Sequence, residues 1–295
     1  MPPAASLSAA SARLLLPRPS LAAGIFAGVA RDTRASTLSD DQRFNHYPAT
    51  PMSMVSLIFE GTLHMVEEHG DGTPPTLGPP LPSLVLSEPQ RHPVSSWSPG
   101  PVHALSVAFY PEALGSLIGI DAERLVGRVL PLEGAVAGPL LAAFQTLLGM
   151  ETDVAAFHRL EDLLEPLWSD SRPHGNGRAP LMADWLRSLA VRAALSGAGR
   201  GVRQAQRRIK GWTGLSRREL QLFARVEEVA VHAARNREAG TLDLAALAND
   251  LGFSDQSHMG REVRRLTGLS PGKLTDLMAT HESFWLYRLL GESFG

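Results

Sequence analysis

Apolar positions follow two different spacings along this chain. Between residues 40 and 110 they form short runs rich in β-branched and aromatic residues, bounded by Pro and Gly. The longest, residues 53–66 (SMVSLIFEGTLHMV), is broken at Glu60-Gly61, which predicts a turn or bulge. Residues 68–75 (EHGDGTPP) are a turn cluster, and 82–87 and 102–109 are further short strands. Strands of this length with such punctuation predict a small barrel or sandwich.

After Tyr110 the spacing becomes helical. Pro111-Glu112-Ala113-Leu114 opens a helix. Residues 140–150 place Leu140, Leu141, Phe144, Leu147 and Leu148 on one face, and 154–168 do the same with Phe157, Leu160, Leu163, Leu164 and Leu167. These two helices are expected to pack on the sheet or to form a dimer face. Residues 169–180 (SDSRPHGNGRAP) read as a linker. From residue 181 onward the chain is helical. Ser216-Arg-Arg-Glu219 has the form of a capping box, and no Pro or Gly follows until after Asn236. That stretch predicts a helix of roughly 20 residues, about 30 Å long at 1.5 Å per residue. Gly240 and Thr241 are expected to end it and start the next. Ser270-Pro271 places a cap before a proline at the first helical position.

The first twelve residues, MPPAASLSAASA, are low in complexity and are expected to be a disordered tail. Arg13 and Arg18 ahead of the apolar run 21–30 loosely resemble a targeting leader. Pro17, Pro19 and two glycines interrupt that pattern. The expected reading is a tail leading into the first element of a folded domain.

An internal repeat carries the most information. Thr213-Gly-Leu-Ser216 recurs as Thr267-Gly-Leu-Ser270, an offset of 54. In the same register Ala205 falls on Met259, Arg207 on Arg261, Ile209 on Val263, Lys210 on Arg264, Trp212 on Leu266 and Leu220 on Leu274. The matches predict a duplicated helical unit. In the second copy, residues 241–251 form an amphipathic helix with Leu244, Leu247, Ala248 and Leu251 inward. Gly252 supplies a left-handed turn, Phe253 plugs the core, and Ser254 is expected to cap a helix running to about Leu266. That order is helix, tight turn, helix, an arrangement that lays its second helix in the DNA major groove. Asp255, Gln256, Ser257, His258 and, one turn on, Arg261 are then expected on base edges, where Gln can pair with adenine and Arg with guanine. The connecting helix nearly matches the roughly 34 Å repeat of B-DNA, so two recognition helices could enter successive grooves. In the first copy Ala198 stands where the second has its turn glycine, and Arg200 where it has Ser254, so that helix is expected to start more loosely.

Charge sharpens the picture. The chain has a net charge of −2, but residues 1–180 hold 11 basic and 18 acidic side chains while residues 181–295 hold 17 and 12. From Trp185 to Arg218 there are nine basic residues and no acid, the footprint of polyanion binding. Of all the basic residues 26 are arginine, so arginine richness by itself says less. The absence of cysteine excludes disulfides, thiolate zinc sites and cysteine nucleophiles. No apolar run approaches the roughly 20 residues that span a bilayer.

The run Ala248-x3-Gly252-Phe253-Ser254-Asp255-x-Ser257-His258-Met259-x-Arg261-x-Val263-Arg264-x2-Thr267-Gly268-Leu269-Ser270-Pro271 resembles the signature of AraC-type transcriptional regulators, with the likeness extending over roughly residues 182–283. The resemblance implies seven helices forming two helix-turn-helix units joined by a long helix. It places the DNA-contacting positions at Arg203, Gln204, Gln206, Arg207 and Lys210 in the first unit, and at Gln256, Ser257, His258, Arg261 and Arg264 in the second. It also implies that the first unit often dominates base reading. The implied fold is α+β: a cupin-like β-barrel with following helices over residues 13–168, the linker 169–180, and an all-α domain over 181–295. The barrel half would sense an effector or mediate dimerisation. The implied partners are double-stranded promoter DNA, a small-molecule effector, a second copy of the chain and, for an activator, RNA polymerase, in a bacterial cytoplasm and without a cofactor.

The alternative is a metal-dependent cupin enzyme with a helical accessory domain. His46, His64, His69, His92 and His103 lie in the β region, but the usual metal-cupin spacing is absent and a strand would send His64 and His69 to opposite faces. No nucleophile elbow, phosphate loop or H-E-x-x-H pattern occurs. The related DNA-repair methyltransferase fusion needs an acceptor cysteine that this chain lacks.

Overall fold

Alternating side chains make the strands, and helical periodicity makes the helices after Tyr110, where one further short strand, Val129–Pro131, joins the sheet. The computed structural model describes residues 10–69, 73–120, 123, 126–169, 182–196, 201–238 and 244–294. The strands are β1 (Ser11–Leu15), β2 (Ile25–Asp32), β3 (Phe44–Tyr47), β4 (Ser53–Glu60), β5 (His64–Glu67), β6 (Thr76–Pro80), β7 (Leu84–Ser87), β8 (Val94–Trp97), β9 (His103–Phe109) and β10 (Val129–Pro131). The helices are α1 (Pro111–Ile118), α2 (Gly138–Leu147), α3 (Asp153–Ser169), α4 (Met182–Leu195), α5 (Val202–Thr213), α6 (Arg217–Glu238), α7 (Leu244–Asp250), α8 (Gln256–Thr267), α9 (Pro271–Thr280) and α10 (Trp285–Phe294). A short 3-10 turn over Glu282–Phe284 precedes α10.

The fold is α+β. Among the described residues the strands pair in two sheets, ordered β1-β2-β9-β4-β7-β10 and β3-β8-β5-β6. The barrel expected from the sequence takes this open, two-sheet form and does not close. The end strands β1 and β10 of the first sheet, and β3 and β6 of the second, are not hydrogen-bonded to the other sheet. The break expected at Glu60-Gly61 is present. The β4–β9 register shifts between Ile58 and Glu60. Gly61 takes φ +88°, and a Cβ there would lie 2.2 Å from the Pro101 carbonyl oxygen.

The six-stranded sheet has two faces because successive side chains alternate. Val55, Leu57, Leu86, Leu105 and Val107, all fully buried, join Phe144, Leu147, Phe157, Leu160 and Leu164 of α2 and α3 in one core. The two amphipathic helices therefore cover the sheet. Leu167, expected on the buried face of α3, is 47% exposed. Gly28 lets α3 approach β2, since a Cβ there would meet the Phe157 ring at 2.8 Å. The other face presents Ala27, Val29, Arg31, Met54, Ser56, Ile58, Ala104, Ser106 and Ala108 to the second sheet.

The apolar run 21–30 is part of this core, with Leu21 and Ile25 each 1% exposed. Residues 1–9 of the expected tail lie outside the described residues, but Ser11 and Ala12 already pair with Asp32 and Arg31. Residues 11 and 12 therefore belong to the edge strand β1 and not to a tail. Of the expected linker, Ser169 ends α3 and residues 170–180 lie outside the described residues.

Candidate nucleic-acid interface

The 54-residue repeat holds down to single hydrogen bonds. Helices α5 and α8 are both twelve residues long and begin and end 54 positions apart. In the first copy Thr213 Oγ1 donates to the Ile209 carbonyl at 2.8 Å, lies 3.1 Å from the Leu215 carbonyl and accepts from the Leu215 amide at 3.2 Å. In the second, Thr267 makes the same contacts with Val263 at 2.9 Å and Leu269 at 3.0 and 3.2 Å. Gly214 and Gly268 end the two helices at φ +71° and +77°, the left-handed turn that glycine adopts without strain. Ser216 and Ser270 then cap the next helices by accepting from the amides of Glu219 (3.3 Å) and Lys273 (3.4 Å).

The capping box predicted at Ser216 is complete, because Glu219 also accepts from the Ser216 amide at 2.7 Å. Burial works against ionisation of Glu219, but the bonds from Ser216 and Arg91 hold its carboxyl below the usual range. The helix that starts there, α6, is 22 residues long, about 33 Å at 1.5 Å per residue. Its expected end at Gly240 and Thr241 lies outside the described residues.

The turn of the second unit forms as its sequence implies. Gly252 has φ +73°, and Phe253 is 4% exposed within a small core of Val229, Leu247, Ala248, Met259 and Val263. Leu251 is half-buried against it, while the side chain of Leu244 lies outside the described set. The cap of α8 is one residue later than predicted. Asp255, rather than Ser254, accepts from the His258 amide at 2.6 Å, and that bond draws its carboxyl below the ordinary value. A carboxylate at a helix start gains from both the free amides and the dipole, so it outcompetes the serine. Asp255 has its counterpart in Gly201, which caps α5 with no side-chain bond. The looser start expected for the first recognition helix is thus present, although Ala198 and Arg200 lie outside the described residues.

Of the proposed contact residues, Arg203, Gln206, Arg207 and Lys210 on α5 are exposed, as are Gln256, Ser257, Arg261 and Arg264 on α8. Each group surrounds a buried face, Ile209 and Thr213 on one helix and Met259, Val263 and Leu266 on the other. Three basic or polar groups are already engaged. Lys210 Nζ pairs with Glu123 at 2.7 Å. Arg208 donates to the Ala193 carbonyl at 2.8 Å, closing the end of α4. His258 Nδ1 lies 3.1 Å from Ser254 Oγ, and its ring meets Phe253 edge-on at 5.5 Å. Gln204 is half-buried.

The histidines of the β region do not converge. His46 contacts Ser95 and stacks near Phe284, His64 bonds the Gly78 carbonyl and His69 bonds Thr76. His103 is buried beside Phe59, and His92 is exposed. Among the described residues no three His, Asp or Glu side chains are placed to hold a metal, and no helix is long and apolar enough to cross a membrane.

Between the two sheets lies a cavity of about 230 Å³. Its floor is the Ala-, Val- and Ser-bearing face of the larger sheet, its roof includes Asn45, Tyr47, Met65 and Ser96, and Trp285, Leu286 and Leu290 of α10 complete it. Sequence periodicity marked the floor only as half of an alternating strand, and nothing in it joined α10 to that floor.

The family described as helix-turn-helix domain matches residues 195–276. No curated protein matches significantly. Among solved structures, the chain is similar to an apo form of a ToxT variant from Vibrio cholerae strain SCE256, with 11% identity over 83% of this chain and 95% of that one and a TM-score of 0.36. ToxT from Vibrio cholerae O395 bound to (E)-4-(8-methylnaphthalen-1-yl)but-3-enoic acid is 11% identical over 90% and 98%, with a TM-score of 0.34. Superpositions at that level fix neither ligand nor activity, whereas the domain match coincides with the repeated units built above. Residues 195–276 are a helix-turn-helix domain of the AraC type.

Proposed function

We propose that the protein is a sequence-specific transcription regulator, and not an enzyme, that grips duplex DNA with α5 and α8 and answers to a small molecule held between its sheets. The observation that carries this reading is the repeat itself: two matched twelve-residue helices with exposed polar faces, on either side of a 22-residue helix. A spacer of about 33 Å is close to one turn of B-DNA, so one chain can address two successive grooves. Arg203, Gln206 and Arg207 are the proposed base readers of the first unit, and Gln256, Ser257 and Arg261 those of the second. Arg264 faces phosphate, and Lys210 does so once released from Glu123. Gln204 and His258 support their helices from partly buried positions. Residues 13–168 form the sensing half, joined through 169–180 to the DNA-binding half over 181–295. A second copy of the chain and RNA polymerase are the further partners.

Selection from random duplexes, followed by titration at two salt concentrations, tests the reading. A selected site should bind well above bulk DNA, with an affinity that falls as salt rises because phosphate contacts release counterions. Arg207→Ala and Arg261→Ala should each cost ~1–3 kcal/mol of specific binding if the side chain reads a base. A chain that enriches no sequence over bulk DNA overturns the proposal.

A further inference from the structure

One segment of the sheets touches the turns that end both recognition helices. Beyond the end of the β4–β7 ladder Thr50 and Gln90 pair antiparallel. The Thr50 amide donates to the Gln90 carbonyl at 3.1 Å, and the Gln90 amide to the Thr50 carbonyl at 2.8 Å. Gln90 is buried, and its Nε2 donates to the Glu88 carbonyl at 2.8 Å. The Gly127 amide donates to the Pro89 carbonyl at 2.9 Å. Pro89 and Pro93 fix φ on either side of this stretch. Residues 49–50 and 90–93 thus form a short, stiff bridge that grows out of the larger sheet.

The bridge holds the two copies of the repeat at matching positions. Arg91 Nε donates to Glu219 at 2.6 Å, and Arg91 Nη2 donates to the Gly214 carbonyl at 3.2 Å. Gly214 ends α5 and Glu219 lies in the first turn of α6, so one guanidinium spans the joint between recognition helix and connecting helix. Glu219 keeps its capping bond to the Ser216 amide through its other oxygen. On the second copy the Ala49 amide donates to the Leu266 carbonyl, at the end of α8, at 2.8 Å. Pro93 lies against Gly268, where a Cβ would meet its Cγ at 3.3 Å. Gly214 and Gly268 are equivalent residues of the repeat, and the side chains that meet them stand two positions apart on the bridge.

The angle between the units matters as much as their separation. Helix α6 sets the separation. The apolar core around its first turns holds that joint without fixing its angle, because apolar contact is non-directional. A forked, charge-assisted hydrogen bond is directional. Over the ~33 Å of α6 a tilt of ~10° moves the far end by ~6 Å. One base pair moves a half-site by ~3.4 Å along the duplex and by ~35° around it. A small tilt at the Arg91 joint therefore misplaces one recognition helix by more than a base pair.

We propose that this bridge is a spacing gauge: it fixes the angle between the two helix-turn-helix units, and so the distance at which one chain reads its two half-sites, with Arg91 as the positioning residue. The inference rests on the DNA-reading proposal above, and adds a determinant of site spacing that lies outside both units.

Two variants of the full chain test it. Arg91→Ala removes the hold on the first unit. Insertion of two glycines between Arg91 and His92 keeps every contacting side chain but lengthens the bridge, and it remains informative if Arg91→Ala does not fold. The chain has no cysteine, so Val202→Cys and Arg265→Cys, both exposed, take spin labels on α5 and α8 alone. The parent should show one narrow label distance, and each variant a broad distribution. A selected duplex lengthened by one base pair between its half-sites should bind the parent at least about tenfold more weakly, and each variant less than about threefold more weakly. An unchanged label distance in the variants, an unchanged penalty for the lengthened duplex, or tighter binding with the same spacing preference overturns the proposal. The label distance needs no DNA, so a chain that selects no duplex fails the regulator reading while the bridge is still tested on its own.

Discussion

The first helix-turn-helix unit shares its core with the sheets, whereas the second, Leu266 aside, keeps its own. Trp185, Leu189, Ala193, Ile209, Leu215 and Leu220 belong to the same apolar cluster as the six-stranded sheet and its covering helices. Tyr110 packs against Trp185 with ring centres 5.2 Å apart, and Glu112 accepts from Trp185 Nε1 and pairs with Arg192. Arg91 reaches across to Glu219 and the Gly214 carbonyl. The second unit is built on six buried side chains, Phe253 among them, and is tethered to the sheets at the end of α8 and through α10. Two copies of one local design are thus anchored in different ways: one joined to the sheets by its core, the other by a helix that also walls the cavity.

The largest test of this contrast compares two core deletions. Phe253→Ala should cost about 3–5 kcal/mol within the second unit, and Leu189→Ala about 2–5 kcal/mol in the shared core. Hydrogen exchange should show the first loss confined to α7 and α8, and the second spread through α4, α5 and the sheet. A global loss in both would erase the distinction.

A pH titration sharpens it next. Burial, with Glu228 and Asp184 adding to it, pushes the Glu227 carboxyl up to about 7, against the bond it accepts from the Met182 amide at 2.9 Å. The folded state then binds the proton more tightly than the unfolded one, whose carboxyl titrates near its ordinary value. Stability is therefore highest below that ordinary value and falls as pH rises toward 7, by about 1–3 kcal/mol. Glu227→Gln should flatten this dependence and stabilise the chain at pH 8, as melting curves across pH would show. The effect should centre on α4, since Met182 begins that helix.

The helix starts give the smaller differences. Asp255→Ala removes the α8 cap and should cost about 0.5–2 kcal/mol. The matching position in α5 is Gly201, at φ −86° with nothing within 4 Å of where its Cβ would stand. Gly201→Asp should therefore gain a few tenths of a kcal/mol by adding the missing cap. Chemical denaturation of the two variants would measure both. Equal and opposite shifts would mean that the two units depend on their caps alike.

Much of the helical half was legible because its signals are local. The Thr-Gly-Leu-Ser repeat, the Ser216–Glu219 box and the Gly252 turn each act within a few residues, and each took the predicted form. Ser254 failed as a cap because serine and aspartate were adjacent candidates, and the choice depended on which side chain reached the His258 amide. Strands β4, β5, β7 and β9 were placed to within a few residues by their apolar runs, but β1, β2, β3, β6, β8 and β10 were not, and the division into two sheets depended on pairings between distant segments. Leu167 fitted the helical period and still faces out, since periodicity does not say how far a neighbouring surface extends.

By itself the sequence determined the two repeated helix-turn-helix units, the long helix between them and the β-then-α order, because backbone geometry, capping and apolar period are properties of neighbouring residues. Only the tertiary structure decided that Arg31 meets Glu282, that Lys210 is held by Glu123 and that α10 walls the cavity. Those contacts join residues up to 251 positions apart. Burial and the pairing of charge at such distances follow from how whole elements stack, and no local pattern records that.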